Sequence, residues 1–379
     1  MLMVPIDRLL TPIDLQKTDG SLVGTTVRVD LPRDWPLEEI FITCDLTVGT
    51  AFSSMLVDGA LGLIKRVRLI TNSTKQVPVV DYSGVGLLEL DSQVGLNLDH
   101  ATLGLISEHT KATAGLPTTQ LYRCVYRIPM VHPKLRGALR AHCLLPIHNH
   151  SMNPQLQIDF SSQAEMATGS VTKLTADVLL RQRKITSGIE SKIQANGGYI
   201  ENDLIETVQS LGTGVTGEQR FDIPVPGRFA GLMCRFYKGG AAVTRGDISE
   251  NVTTGTESVW RIESGGFIFK QSRVKHIRAI NDRSRTLNSQ LQASSPSIGA
   301  AVASTVFIQD PCALYYDFLT DDVNEADELG STLDCNFPYA QGQKMQLIGP
   351  VASAATNGHK VYIGGHRFYG DLSRWITDK

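Results

Sequence analysis

The chain has no long apolar run. None of its segments approaches the roughly 20 apolar residues that a membrane-spanning helix requires. Its longest uncharged stretch, 286–309, is rich in Ser, Gln and Ala and reads as a loop. At the N-terminus Asp7 interrupts the apolar start before a signal-peptide core can form. The expectation is synthesis in the cytoplasm, with neither secretion by that route nor a helical anchor. Charge is scarce too: 20% of residues are charged and the formal net charge is -2. That excludes the basic excess of a nucleic-acid-coating protein. Aromatic residues make up only 7%, which speaks against a surface built for stacking on sugars or bases. Disorder is excluded by a hydrophobic content of 42%. The six cysteines, Cys44, Cys124, Cys143, Cys234, Cys312 and Cys335, include no C-x-x-C pair. They are expected to be buried thiols rather than disulfides or metal ligands.

What the sequence has in quantity is two-residue alternation. Val27, Val29 and Leu31 alternate with Thr26, Arg28 and Asp30, the period of a half-buried strand. Ile40, Ile42, Cys44, Leu46 and Val48 repeat the pattern, as do Val67 with Leu69, Tyr122 through Ile128, Leu156 through Phe160, and Leu174 through Leu180. In the second half, strands are predicted at 221–224, 232–237, 259–262, 267–270, 276–280, 314–318, 345–348 and 360–369. Helical text is limited to 84–95, 133–143 and a short C-terminal piece at 371–376 capped by Asp371. About eight strands per half without crossover helices point to an all-β fold: two tandem eight-stranded antiparallel jelly-roll sandwiches with a few short inserted helices.

Four phrases recur in order across the two halves. Lys65-Arg66-Val67-Arg68-Leu69-Ile70-Thr71-Asn72 can be laid over Lys275-His276-Ile277-Arg278-Ala279-Ile280-Asn281-Asp282. Val29-Asp30-Leu31-Pro32 matches Phe221-Asp222-Ile223-Pro224. Leu156-Gln157-Ile158 matches Met345-Gln346-Leu347, and Val178-Leu179-Leu180 matches Val361-Tyr362-Ile363. An offset of about half the chain is what internal duplication produces. The implied organisation is an irregular N-terminal arm at 1–20, a first jelly roll at 21–187, a turn-rich linker at 188–217, a second jelly roll at 218–370 and a tail at 371–379.

Catalytic text is missing: there is no Walker A loop, no G-x-S-x-G and no H-E-x-x-H. Gly212-Thr213-Gly214-Val215-Thr216-Gly217 fits G-x-G-x-x-G, but strand text follows it where a nucleotide fold needs a helix, so it reads as a turn. His148 and His150 would point to one side of an extended segment and are the best metal candidates, although a polar loop between Pro146 and Pro154 is the stronger reading. Asp321 and Asp322 open an acidic cluster whose oxygen density suits Ca²⁺; the EF-hand pattern fails at Ala326 and Asp327, and a solvated loop is favoured. Arg181, Arg183 and Lys184 form one basic stripe, and Arg273, Lys275, Arg278, Arg283 and Arg285 another. Their ordinary meaning is a solvated strand face or a subunit contact; anionic lipid or nucleic acid is the alternative. The site expectation is therefore no catalytic residue, no cofactor and no metal.

Taken with Pro32-Arg33-Asp34-Trp35-Pro36-Leu37-Glu38-Glu39-Ile40 leading into a long strand, Gly59-Ala60-Leu61-Gly62-Leu63-Ile64-Lys65-Arg66-Val67-Arg68-Leu69 entering another, and Leu145-Pro146 before Leu156-Gln157-Ile158-Asp159-Phe160, the chain resembles the double jelly-roll major capsid proteins of tailless, often membrane-containing, double-stranded DNA viruses and bacteriophages. The resemblance spans roughly 20–370. It implies a structural virion protein, not an enzyme. In that family three chains associate, so that six similar barrels make a pseudo-hexagonal capsomer tiling an icosahedral shell. The implied partners are other copies of the chain, penton or minor capsid proteins and, in some members, an internal lipid membrane, with no sequence-specific nucleic acid. Loops at 99–119, 239–258 and 282–305 would form towers or reach across subunits. Two other readings stand beside it: a carbohydrate- or receptor-binding jelly-roll module such as a spike, and a double-jelly-roll glycan-cleaving enzyme.

Overall fold

The computed structural model describes residues 4–10, 21–49, 54–55, 58–71, 78–94, 121–133, 135, 137–149, 153–195, 197–224, 228–239, 244–245, 258–274, 276–277, 313–318, 344–351 and 356–369. The chain divides into two compact units with the boundary at Leu204/Ile205.

The first unit is built from β1 (Val4–Leu10), β2 (Thr26–Asp30), β3 (Leu37–Val48), β5 (Ile64–Ile70), β6 (Pro78–Tyr82), β7 (Leu121–Pro129), β8 (Gln155–Phe160) and β10 (Val171–Lys184); β4 (Ser54–Met55) and β9 (Ala167–Thr168) add a two-residue ladder. One sheet runs β1-β10-β3-β7 and the other β2-β8-β5-β6. The alternation seen in the sequence sets which face of each strand goes inward. Ile40, Ile42, Cys44 and Leu46 of β3 are buried with Leu174, Val178 and Leu180 of β10, while the second sheet buries Val27, Val29, Val67, Leu69, Leu156 and Ile158. Each such side chain contributes about 1.5–3 kcal/mol on leaving water. Tyr126 ties one sheet to the other: its hydroxyl donates to Leu61 O (2.8 Å) and accepts from Leu63 N–H (3.1 Å), in the turn that leads into β5. Short helices α1 (Gly84–Val94), α2 (Gly137–His142), α3 (Gln163–Met166) and α4 (Ser187–Ala195) are inserted between strands.

In the second unit the strands are β11 (Asn202–Ser210), β12 (Gly217–Asp222), β13 (Arg228–Lys238), β14 (Thr244–Arg245), β15 (Val259–Ser264), β16 (Phe267–Arg273), β17 (Ala313–Asp317), β18 (Met345–Val351) and β19 (Lys360–Phe368). One sheet runs β11-β19-β13, with β14 and β17 pairing different ends of β13; the other runs β12-β18-β15-β16. Phe221, Trp260, Ile262 and Leu347 from the latter share a core with Leu232, Cys234, Phe236, Leu314, Val361 and Ile363 from the former. Strand for strand, β11-β19-β13-β17 repeats β1-β10-β3-β7, and β12-β18-β15-β16 repeats β2-β8-β5-β6. Each unit is an eight-stranded jelly roll, and the chain is a tandem duplicate of that topology.

Three of the four recurring phrases fall on equivalent strands: β2 with β12, β8 with β18, and β10 with β19. The longest does not. Lys65–Asn72 enters β5, whose equivalent is β15, whereas Lys275–Asp282 follows β16; moreover His276 and Ile277 have helical backbone instead of beginning a strand. That echo reflects the repetitive wording of amphipathic segments. Two further regions differ from expectation. The N-terminal arm is not irregular throughout, because Val4–Leu10 pairs with β10 over seven residues, from Val4↔Lys184 to Leu10↔Val178. The segment read as a linker, 188–217, holds α4 and the regular strand β11, and the unit boundary falls within it. The expected helix at 371–376 lies outside the described residues.

Candidate functional site: ionic sheet faces and open edges

Side chains that leave the cores meet one another across strands. On the outer face of β1-β10-β3-β7, Asp7 and Arg181 are directly opposite, as are Arg181 and Glu39. The Arg181 guanidinium spans both carboxylates, with Nε 2.8 Å from Asp7 Oδ1 and Nη1 2.9 Å from Glu39 Oε1. Arg127 of β7 extends the row, 2.6 Å from Glu39 and 3.2 Å from Asp91 of α1. Alongside, the buried Glu38 carboxylate receives Arg183 (2.5 Å) and Arg140 of α2 (2.6 Å). Donation from Arg181 holds the Asp7 carboxyl below the usual range and raises Arg181 in turn. Lys184 lies over the Trp35 ring, 5.8 Å from its centroid. The two arginines of the first basic stripe are thus paired with carboxylates, while Lys184 is exposed and packs on an aromatic ring. Sequence reading missed Glu38 and Glu39 as its partners; their only sequence signal is a carboxylate pair at the start of an apolar strand.

Among the described residues of the second unit, the pair Arg235–Glu206 is fully buried. Arg235 Nη2 of β13 lies 2.6 Å from Glu206 Oε1 of β11, with side-chain exposures of 2% and 1%. The guanidinium sits 4.6 Å from the Tyr362 ring centroid and donates to Tyr237 Oη at 3.2 Å. The outer face of β12-β18-β15 is wetter and mixed in sign. There Arg261 grips Glu218 through two bonds of 2.6 and 2.7 Å, and Lys344 pairs with Asp222 at 2.9 Å.

β16 ends that sheet, and among the described residues it pairs with β15 alone. The two strands join through Gly265-Gly266, both at positive φ (54° and 85°), the geometry of a two-residue hairpin turn. Immediately after it, Phe267, Ile268 and Phe269 are 73%, 52% and 40% exposed. Ile268 shares a face with Glu263 and Phe267 with Ser264, while Phe269 is the extra residue of a β-bulge between Glu263↔Ile268 and Ile262↔Lys270.

His148 does not form a metal centre with described residues. Its Nε2 is 3.7 Å from Glu190 Oε1, and its ring meets Tyr199 edge-on with centroids 6.0 Å apart. The other oxygen of Glu190 accepts from Tyr199 Oη at 2.6 Å. His150, Asp321 and Asp322 lie outside the described residues, as do Lys275, Arg278, Arg283 and Arg285 of the second basic stripe. Among the described residues no group of three His, Cys, Asp or Glu side chains could hold a metal ion. The glycines of Gly212–Gly217 form the turn into β12, with Gly214 and Gly217 at positive φ, and a strand follows. Cys44, Cys124, Cys143 and Cys234 are free and buried; Cys312 and Cys335 lie outside the described residues.

These features define a class by architecture: a double jelly roll in which many of the described outer charges pair across strands of one sheet or with an inserted helix. No protein-family model matches the chain, and none of the curated proteins matches it in sequence. Solved structures do match it end to end. It is similar to the major capsid protein of Sulfolobus turreted icosahedral virus, with a TM-score of 0.57 and 11% identity, covering 99% of this chain and 100% of that one. It is similar to the PBCV-1 virus capsid chain (TM-score 0.54, 12% identity, 98% and 96% covered) and to the major capsid protein P2 of bacteriophage PM2 (TM-score 0.51, 10% identity, 97% and 98% covered). At these identities the shared property is the double jelly-roll fold.

Proposed function

We propose that the chain is a major capsid protein of an icosahedral virus, a structural protein that associates into trimers and tiles the shell with pseudo-hexagonal blocks. One observation carries this reading: the eight-for-eight repetition of strand order in two tandem sandwiches, over a length that neighbouring capsid chains match from end to end. Six similar sandwiches per trimer give six similar edges, which is how a three-fold object fills a hexagonal lattice. The interaction partners in this reading are other copies of the chain, then penton and minor capsid proteins, with an internal bilayer where the virus has one. The location is the virion, after synthesis in the host cytoplasm.

Phe267 and Phe269 favour the binding-module alternative, since a receptor-binding surface displays aromatics. Their rings carry no polar group for sugar hydroxyls, and they sit on the strand that ends the sheet, directly after a tight turn. Size-exclusion chromatography with light scattering tests the main reading. A mass three times that of the chain supports it, and a monomer at all concentrations overturns it.

A further inference from the structure

Exposure of three successive large apolar residues on an edge strand is costly in water and invites strand pairing, so soluble chains avoid it unless the edge is covered. We infer that β16 of one copy docks along β1 of a second copy, placing Ile268 against Leu9, and that this head-to-tail contact closes the trimer. The inference rests on the capsid reading and names the surface that joins the subunits.

Four observations lead to β1 as the mate. Among the described residues, β1 also lies at the end of its sheet and pairs with β10 alone. It presents Leu9 at 58% exposure on the outer face, so the large apolar side chains left in water include one on each of two open edges. The two strands are each seven residues long, Val4–Leu10 and Phe267–Arg273, enough for a continuous ladder of main-chain bonds. Finally, the edges are topologically different: β1 ends the first sheet of one unit and β16 the second sheet of the other. A contact between unlike patches is heterologous and generates rings, whereas two copies of β16 meeting each other would stop at a dimer.

Charge decides between a protein and a bilayer as occupant. An apolar hairpin built to enter anionic lipid carries a surplus of Lys and Arg around it. Here Glu218 and Glu263 are paired by Arg261 and Asp222 by Lys344, and of the two cations on β16 itself Lys270 is turned to Asp317 O and the Phe318 ring, which leaves Arg273 at the end of the strand farthest from Phe267; β1 is mixed, with Asp7 and Arg8. The three exposed side chains of β16 offer on the order of 300 Å², against about 800 Å² per partner for a stable interface. They are therefore the anchor of a larger contact rather than a complete one.

The test uses the full-length chain in three forms: wild type, Phe267→Ser/Phe269→Ser, and Leu9→Ser. Light scattering over a dilution series is expected to give trimers for wild type and a dissociation midpoint raised about a hundredfold for either variant, with far-UV circular dichroism unchanged. Because the contact is head-to-tail, mixing the two variants is expected to give heterodimers through the one intact β16–β1 contact, and no closed trimer, since the remaining edge of each is the altered one. A Leu9→Cys/Ile268→Cys chain should form inter-chain disulfides under mild oxidation, in which the two thiols lose two electrons and two protons to added glutathione disulfide. Should a serine variant misfold, Ile268→Lys takes its place, as that exposed site tolerates the charge. Trimers of unchanged stability in the variants, or no cross-link, overturn the inference and leave the capsid reading intact. Flotation of wild type with anionic vesicles that the serine variant loses, trimers being unaffected, also overturns it in favour of lipid. A monomeric wild type overturns the capsid reading itself.

Discussion

Gln346 stands directly opposite Asp222 across β18 and β12 and donates to its carboxylate at 2.9 Å; Gln155 stands opposite Asp30 across β8 and β2 and donates at 3.0 Å. The same residue pair thus closes the same corner of both sandwiches. The sequence echo laid Gln346 over Gln157, so the true correspondence is displaced by two residues. A displacement of two leaves the inward and outward faces unchanged, and the hydrophobic pattern alone could not reveal it.

The duplication makes paired predictions for the cores. Val67 of β5 and Ile262 of β15 occupy equivalent strands, and both are fully buried, opposite Ile158 and Leu347 respectively. Val67→Asp and Ile262→Asp should each cost at least about 4 kcal/mol, because an unpaired carboxylate is driven into a dry core. Neither variant is expected to yield soluble trimers on gel filtration. Normal assembly by either would mean that the strand faces the other way.

Removal of one partner from the buried Arg235–Glu206 pair leaves a charge stranded. Arg235→Met or Glu206→Leu alone should lower stability by about 3–5 kcal/mol, and the double variant should recover most of the loss. Urea denaturation of the four proteins gives the coupling; additive losses would show that the two side chains act independently.

Acid should act on the rims before the cores. Arg181 lowers Asp7, Arg261 lowers Glu218, Lys65 lowers Glu165, and Gln346 followed by Lys344 lowers Asp222. A carboxyl depressed in the folded state adds stability above its ordinary value, 3.8 for Asp and 4.5 for Glu, and that stability disappears as pH falls through the depressed value. Thermal unfolding should therefore be flat with respect to these groups from pH 7 to about 4.5 and should decline below it. Asp7→Asn and Glu218→Gln should each flatten part of the decline. A loss concentrated between pH 7 and 5 would point to histidines instead.

Burial pushes the Cys124 and Cys234 thiols up to about 12 and raises Cys44 as well. In a Cys312→Ser/Cys335→Ser background, Ellman's reagent at pH 8 should find no reactive thiol in the folded chain and four after denaturation. Fast native labelling of any of them would contradict the assigned strand faces.

Chelation should not matter at His148. Its imidazole is placed by Glu190 and Tyr199. His148→Ala, or addition of EDTA to wild type, should move the melting temperature by no more than about 2 °C. A larger drop with EDTA would indicate a bound ion.

The strands that could be read from the sequence are those with clean alternation. Ile40 to Val48, Leu174 to Leu180 and Leu232 to Tyr237 were all recognised, and 84–95 held α1 as expected. β11 was hidden because Asn202 and Glu206 occupy buried positions beside Leu204, which erases the hydrophobic period. β1 was hidden because Pro5, Asp7 and Arg8 look like a solvated tail, and only the register with β10 gives Asp7 its partner. The ionic rows could not be read at all, since Glu39 meets residues 88 and 142 positions away. The exposure of Phe267 to Phe269 was equally invisible: the same letters describe a core strand, and only the sheet order leaves them at a rim.

The pairing of β1 with β10 has a consequence for how the newborn polypeptide behaves. Val4–Leu10 is made long before its partner strand and cannot pair until Lys184 has followed. At about 5–20 residues per second, that delay is on the order of ten seconds or longer. Throughout it β10's seat is vacant, the flank of β3 lies bare, and the leading segment is at liberty to associate with a neighbouring nascent chain.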